Sequence, residues 1–375
     1  MKTDNMNNRT YQVCKKCVMD TTDPDIQFDE HGICNHCSNF ETNIRQNWFP
    51  NELGKNMLDQ IVSKIKNSGK NNAYDCIIGL SGGVDSSYIA YKAIELGLKP
   101  LAVHVDAGWN SELAVKNIEN LVKILNIDLY THVIDWEEMR DLQAAYFRAG
   151  VANLDVPQDH AFSAGVYNFA DKNKIKYILS GSNYATESIL PKAWGYSAMD
   201  LRNLMAIHRK YGKRKLKTFP KLNFIKYHFF YPKIKKISVV RPLNYMPYNR
   251  SQAIAILENN VKWRYYGGKH HESRFTKLFQ SYYLPTKFGY DKRKAHLSSL
   301  IVSGQITRNQ AVNELKMPLY DEKELRNDLT FVIKKLGFSD EEFIKILNGP
   351  IHSYREYPNN EWIFNLIRYI QKQIK

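Results

Sequence analysis

The sequence predicts an α/β protein, a doubly wound parallel sheet with a small cysteine-stapled module before it and a helical region after it. Three observations carry that prediction. Between residues 73 and 180, short apolar runs alternate with stretches of helical spacing. Four of the five cysteines fall within the first 37 residues as two CxxC pairs. After residue 249 the pattern is helical, with recurrent helix-start signals.

The chain has 375 residues, enough for two or three domains, and its formal charge is +15 from 53 Lys+Arg against 38 Asp+Glu. That balance favours polyanions or phosphorylated substrates as partners. No stretch approaches the roughly 18 consecutive apolar residues of a membrane span. Met1 to Arg9 is polar and lacks an apolar signal core, so a cytoplasmic location is expected.

Cys14-Lys15-Lys16-Cys17 and Cys34-Asn35-His36-Cys37 are separated by sixteen residues. Two CxxC pairs at that distance match a four-thiolate zinc site, closed and therefore structural; an iron–sulfur cluster or a redox pair are the alternatives. Residues 1–45 thus read as a zinc ribbon, with Asp23-Pro24-Asp25 and Glu30-His31-Gly32 as its turns. His31 and His36 lie nearby, but with four thiols available they are not needed as ligands. Residues 46–72 read as a connecting helix (Leu53, Met57, Ile61, Ile65) and a polar loop, Asn67 to Asn72.

Residues 73–248 carry the sheet. Cys76 to Leu80 is an apolar strand that ends in Ser81-Gly82-Gly83-Val84-Asp85-Ser86-Ser87, and a helical pattern follows at once. Small residues let the backbone approach a ligand closely, and a helix N-terminus aims free N–H groups at the loop, so an anion belongs there. The spacing is neither the Walker pattern nor GxGxxG. Gly97 should stop the helix. Leu101 to Asp106 is a near-continuous apolar strand of the kind buried in a parallel sheet, Leu129 to Ile134 is a third strand and Ile175 to Leu179 a later one, with helices through Leu113–Leu125, Trp136–Arg148 and Phe162–Phe169 between them. Ligands of such a sheet bind at the carboxyl ends of the strands, and two of those ends, Asp106-Ala107-Gly108 and Ser180-Gly181-Ser182-Asn183, are polar.

Residues 201–257 contain no acidic side chain, and within the basic insertion 201–236 the segment Arg209–Lys236 interleaves eleven Lys/Arg with aromatics. That composition suits single-stranded RNA, a nucleotide-sugar diphosphate or an anionic membrane surface, or a merely solvated insertion. Val239 to Leu243 reads as one more strand. In the helical region 249–375, Asn249 is a helix cap, and Thr307 with Gln310 and Ser339 with Glu342 fit capping boxes. Trp362, Ile363, Leu366, Ile367 and Ile370 give a last amphipathic face.

Two segments in this region are rich in glycine, histidine and charge: Tyr265-Tyr266-Gly267-Gly268-Lys269-His270-His271-Glu272-Ser273-Arg274 and Leu284-Pro285-Thr286-Lys287-Phe288-Gly289-Tyr290-Asp291-Lys292-Arg293. They suit a polar site better than a core. Lys269, His270 and Glu272 are the candidate catalytic groups, His270 because it transfers protons near neutral pH. Arg274, Lys287 and Arg293 are the candidate substrate-binding cations.

SGGVDSS resembles the PP-loop of the ATP pyrophosphatase superfamily, whose members cut ATP between its α and β phosphates. The resemblance implies that Ser81, Gly82, Gly83, Ser86 and Ser87 hold the leaving pyrophosphate, that Asp85, joined by Glu187, places Mg²⁺, and that Val105, Asp106, Gly181, Ser182 and Asn183 contact the nucleotide. With the paired CxxC start, YGGKHHES and LPTKFGYDKRKAHLS in that order, nearly the whole chain is similar to the N-acetyl sugar amidotransferases of bacterial surface-polysaccharide (LPS O-antigen) biosynthesis. That family implies conversion of an acetamido group on a nucleotide-activated N-acetyl sugar to an acetamidino group, using ATP, Mg²⁺ and ammonia through an adenylated imidate.

The only thiol outside the CxxC pairs, Cys76, lies in an expected buried strand, which leaves no nucleophile for a glutaminase. A separate HisH-like glutaminase subunit is therefore the expected ammonia source, and no stable nucleic acid partner is expected. The alternative is a PP-loop tRNA-modifying enzyme, a lysidine-type ligase or a thiolase; a non-catalytic zinc-ribbon adaptor is a third reading.

Overall fold

The structure, a computed structural model, describes residues 9–363, 365 and 366. Five short strands, β1 (Cys76–Gly79), β2 (Pro100–Asp106), β3 (Leu129–Val133), β4 (Tyr177–Leu179) and β5 (Ser238–Val240), form one sheet in the order β3-β2-β1-β4-β5. Every pairing is parallel. Alternate residues of the central strands face opposite layers, as a period of two requires. Ile78, Ala102 and Leu179 pack against Leu58, Ile89, Ile118 and Leu257 on one side. Ile77, Leu101, Val103 and Ile178 pack against Ala164, Val166 and Ala170 on the other. With both faces covered, β1 and β2 read as nearly unbroken apolar runs, whereas the edge strand β3 leaves Leu129, Tyr130 and Val133 exposed. The strand order reverses between β1 and β4, so the crevice of this doubly wound sheet opens where those two strands end.

Two helices between strands start where a short polar side chain accepts a backbone N–H, Ser111 from Ala114 and Asp135 from Glu138, and Asn249 accepts from Gln252 at the helix that follows β5. The helix after β1 ends at Glu95, and Gly97 turns the chain with a φ of +69°. The connecting helix, Glu52–Ser68, buries Gly54, Leu58, Val62 and Ile65, whereas Leu53 is exposed. Its buried face is therefore shifted from the expected Leu53–Met57 register, because Gly54 lies against the carbonyls of Phe49 and Tyr245, where a side chain would not fit.

The cysteine module sits on the helices Lys292–Val302 and Arg308–Leu315. The Val18 N–H donates to Ser298 Oγ at 3.2 Å, Arg308 donates to the carbonyls of Cys14 and Cys17, and Lys294 pairs with Asp20. Val18 packs on Leu297 and Ala311. The capping box of Thr307 and Gln310 is present in full, and Ser339 accepts from the Glu342 N–H. Trp362 and Leu366 are exposed, so they bury no apolar face; Ile367 and Ile370 lie outside the described residues. No helix among the described residues is long and apolar enough to cross a membrane.

The basic segment is not a loose solvated insertion. It begins as the helix Leu201–Tyr211, capped by Asp200. Beyond it two buried carboxylates strap the chain down: Asp141 accepts from the N–H groups of Lys213 and Arg214, and Glu138 from those of Lys217, Thr218 and Phe219. Burial would raise the Glu138 carboxyl, but these backbone donors outweigh it and hold the group below the ordinary glutamate range. A lowered folded pKa contributes stability above the unfolded value, lost as pH falls through the folded one. Glu138→Ala is expected to cost about 2–3 kcal/mol at neutral pH, with the difference from wild type shrinking in acid. Denaturant unfolding at the two pH values, with proteolysis across residues 213–219, checks this.

Candidate functional site

At the strand-order reversal, β1 runs into Leu80 and Ser81, and the helix Val84–Glu95 begins three residues later. Gly82 takes a φ of +83° with the Ala114 carbonyl 2.9 Å from where a Cβ would stand, so only glycine fits. A Cβ on Gly181 would lie 2.8 Å from the Ser86 nitrogen, so the exit loop of β4 rests directly on the first turn of that helix. Ser81 and Ser86 hydroxyls lie 3.1 Å apart, and the N–H groups of Ser81 and Gly83 are held by Ser86 Oγ and Ser81 Oγ. The hydroxyls, which take up the loop's own N–H groups, thus stand at a helix N-terminus whose dipole favours an anion, and form the cradle for one.

The cradle forms one end of a cleft of about 930 Å³. Beside it Asp85 accepts from the Tyr248 hydroxyl and, at 3.4 Å, from Asn183 Nδ2. Lys269 bridges two carboxylates, with its Nζ 2.9 Å from Glu187 and 3.8 Å from Asp85, and it donates to Thr186 Oγ1 at 3.2 Å. Burial pushes the Asp85 carboxyl up against the pull of Lys269. Burial raises Glu187 as well, but Lys269 and then His270 outweigh it and hold that carboxyl below its ordinary value. Two carboxylates already gathered round one cation fit a site for a divalent ion carried by a triphosphate.

The segment 263–274 wraps this loop. Trp263 Nε1 donates to the Gly82 carbonyl at 3.2 Å, the Val84 N–H donates to the Tyr266 hydroxyl at 3.1 Å, and the Ser111 N–H donates to the Glu272 carbonyl at 2.9 Å. The Glu272 carboxylate lies against Gly83, where a Cβ would be 2.8 Å from Oε1. His270 has a φ of +63°, left-handed backbone that a histidine adopts at a cost, and its Nδ1 is 3.8 Å from Glu272.

A second charged group lines the same cleft. Asp155, buried, accepts from Thr276 Oγ1 at 2.9 Å and Gln158 Nε2 at 3.1 Å. Asp159, one helical turn further on, opens onto the cleft and has no direct hydrogen-bond or ion-pair partner among the described residues. Asp159 is exposed on the open cleft, yet the protein around it, and then the like charge of Asp155, push its carboxyl up to about 7, opposed by Lys292 and His270. Burial lowers Lys292 against the pull of the two aspartates, and burial takes His296, whose ring centroid is 5.6 Å from that of His270, well below the usual histidine range.

The cleft therefore brings together Ser81, Gly83, Asp85, Ser86, Val105, Gly181, Ser182, Glu187, Lys269, His270 and Glu272 among the residues singled out by sequence. Others sit behind it. Ser87 is fully buried with no hydrogen-bond partner for its hydroxyl, because its helix turns it into the core. Gly82 shapes the loop, Asn183 caps the turn after β4, and Asp106 accepts from the Gly108 N–H at 2.7 Å.

The three expected substrate cations do not line the cleft. Arg274 pairs with Asp328 and stacks on Phe331, Lys287 donates to the carbonyls of Ile346 and Gly349, and Arg293 pairs with Asp291 and donates to the Met317 carbonyl. Each neutralises a carboxylate or a helix end and so braces the helical region. Sequence reasoning missed Asp155, Asp159 and Arg250, and it gave no role to Tyr266 and Lys292 within the two segments it singled out; all five line the cleft. An Asp pair four residues apart at a helix start was the one available signal for the first two.

Away from the cleft, the four cysteines Cys14, Cys17, Cys34 and Cys37 are buried with their sulfurs all within 4.8 Å of one another. The Cys14–Cys37 and Cys17–Cys34 sulfurs are 3.9 and 3.7 Å apart. This donor set fits one metal ion.

Residues 272–371 match the family model described as LPS biosynthesis protein WbpG-like, C-terminal domain, and residues 55–221 match that of NAD synthase. Together the two matches support a PP-loop protein of LPS biosynthesis. The NAD synthase match spans the anion cradle, and the WbpG-like match begins at Glu272, the residue that touches it. No curated protein matches this PP-loop protein. Among solved structures, NMN synthetase from Francisella tularensis is 17% identical over 72% of this chain and 98% of its own, with a TM-score of 0.30. The NH3-dependent NAD synthetase from Campylobacter jejuni is 16% identical over 72% and 99%, also at 0.30. The U34-tRNA thiolase NcsA from Methanococcus maripaludis is 15% identical over 82% and 89%, again at 0.30. Likenesses this distant carry no functional argument.

Proposed function

We propose that this PP-loop protein is an AMP-forming amidotransferase that converts an acetamido group of a nucleotide-activated N-acetyl sugar into an acetamidino group. The observation that carries the reading is one cleft that holds two sets of groups side by side: an anion cradle with Asp85, Glu187 and Lys269, and a cluster of acid–base groups, Asp155, Asp159, His270 and Lys292. ATP cleavage needs the first and delivery of a nitrogen nucleophile needs the second. The amide oxygen attacks the α-phosphorus of ATP, the bond to the β-phosphate oxygen breaks, and pyrophosphate leaves into the cradle. Mg²⁺, held by Asp85 and Glu187, would neutralise phosphate charge. Ammonium gives a proton to Asp159, ammonia adds to the imidate carbon, and AMP departs with the former amide oxygen. The cleft walls keep water from the imidate.

Ammonia comes from elsewhere. Cys76 is fully buried in β1, and burial, with Asp75 beside it, pushes its thiol well above the usual range. A separate glutaminase subunit docked on this chain supplies it. For the cysteine site, the sulfur spacings of 3.7 and 3.9 Å favour zinc, since thiolates about 2.3 Å from one ion stand about 3.8 Å apart, whereas the thiolates of a four-iron cluster each bind a different iron and stand wider. No cysteine lines the cleft among the described residues, which weighs against a thiolase.

Incubation with ATP, Mg²⁺, ammonium and nucleotide-linked acetamido sugars is expected to give AMP, pyrophosphate and a sugar in which NH has replaced oxygen. With ammonium as donor, the wild-type rate should level off above about pH 7 as Asp159 ionises. Asp159→Asn should be slower by about a hundredfold near neutrality and keep rising with pH, because it depends on free ammonia. ADP and orthophosphate as products would overturn the mechanism.

A further inference from the structure

The helix Lys226–Ile234 is wound as a π-helix, with the Lys235 N–H closing on the Phe230 carbonyl five residues back at 2.9 Å. A helix closed by such bonds advances about 4.4 residues per turn, so residues 225, 229 and 234 fall within roughly 50° of one another. In an ordinary α-helix the first and last of them would lie on opposite sides. Ile225, Phe229 and Ile234 are 68%, 51% and 68% exposed, a continuous apolar ridge. The other face of the helix is occupied: Tyr231 is buried against the sheet, and Tyr227 and Pro232 line the cleft.

Cations frame the ridge. Lys226, Lys233 and Lys236 are exposed and make no ion pair among the described residues, while Lys235 pairs with Asp171. The surrounding sequence, 201–257, offers no carboxylate of its own. Nucleic acid would meet the lysines but has no place for two isoleucines, since bases stack on aromatic faces and Tyr227 and Tyr231 are turned inward. An apolar ridge with lysines at both ends, their stems able to reach past it, matches the boundary of an anionic bilayer, where acyl chains take the ridge and headgroups the ammonium groups.

We propose that the ridge Ile225–Phe229–Ile234 and its flanking lysines dock this protein on the surface of an anionic phospholipid bilayer, with the cleft wall formed by the same helix held at headgroup level. The docking is peripheral and does not depend on the reaction proposed above.

The test is flotation of the full chain with vesicles of phosphatidylcholine alone or of equimolar phosphatidylcholine and phosphatidylglycerol, at low and high salt. Wild type should float with the anionic vesicles only, and less at high salt. Lys226→Gln/Lys233→Gln/Lys236→Gln should bind about a hundredfold more weakly. Ile225→Ser/Phe229→Ser/Ile234→Ser should lose binding with charge unchanged, while its melting temperature and its turnover of ATP in solution stay at wild-type values. Absence of flotation with anionic vesicles overturns the proposal. So does flotation unaffected by the serine triple variant, which would leave only charge adhesion, or capture of single-stranded RNA or of an acidic protein in place of vesicles.

Discussion

Asp85→Asn should lose about a thousandfold in pyrophosphate release and at the same time melt no lower than wild type. The two effects share one cause. The carboxylate is held between Tyr248, Asn183 and Lys269 at the first turn of the helix after β1. Burial, the largest influence on it, pushes its pKa up. A raised folded carboxyl pKa means that ionisation weakens the fold as pH rises from the unfolded value through the folded one, so at neutral pH the charge is a cost. Asparagine keeps the shape and the Tyr248 hydrogen bond and removes that cost. It also removes the charge that positions Lys269 and any divalent ion on the phosphates, and losses of this order follow when one electrostatic contact to a transition state is deleted. Thermal melting at neutral pH and in acid should show the variant's advantage shrinking as pH falls. A variant that is both inactive and strongly destabilised would mean that Asp85 is a structural residue.

Replacing Cys14 and Cys34 by serine should release the metal, lower the melting temperature by several degrees and cut turnover at least about tenfold, although no cysteine lines the cleft among the described residues. The path runs through the helix Lys292–Val302. Its first residue, Lys292, lies in the cleft beside the two aspartates, and further along it Lys294 and Ser298 hold Asp20 and Val18 of the cysteine module. Without the ion the module cannot close its small core, and the helix loses the surface that fixes it. Metal analysis of the wild-type chain should return one zinc per chain. Iron with acid-labile sulfide would refute the single-ion site, and full activity in the metal-free variant would show that the module does not brace the cleft.

The cradle was legible before any coordinates because its chemistry is local. Small residues between a strand and a helix let a ligand reach the helix N-terminus, and Gly82 and Gly181 stand where a side chain could not. The cysteine site was legible for the same reason, since CxxC pairs carry their own geometry. The cations were misjudged in part: Lys269 lies in the cleft, but Arg274, Lys287 and Arg293, equally promising by type, meet Asp328, the carbonyls of Ile346 and Gly349, and Asp291. Side-chain type says what a residue can bind; only its neighbours decide what it does bind.

By itself the sequence determined the parallel sheet, the anion loop and the four-thiolate cluster, because each depends on residues close together in the chain. Only the tertiary structure decided that the segment 263–274 closes over a loop nearly two hundred residues earlier, and that Asp155, Asp159 and Lys292 share its cleft. The physical reason is that those contacts are set by how the helical region packs across the strand-order reversal, and no pattern within a single segment encodes that packing.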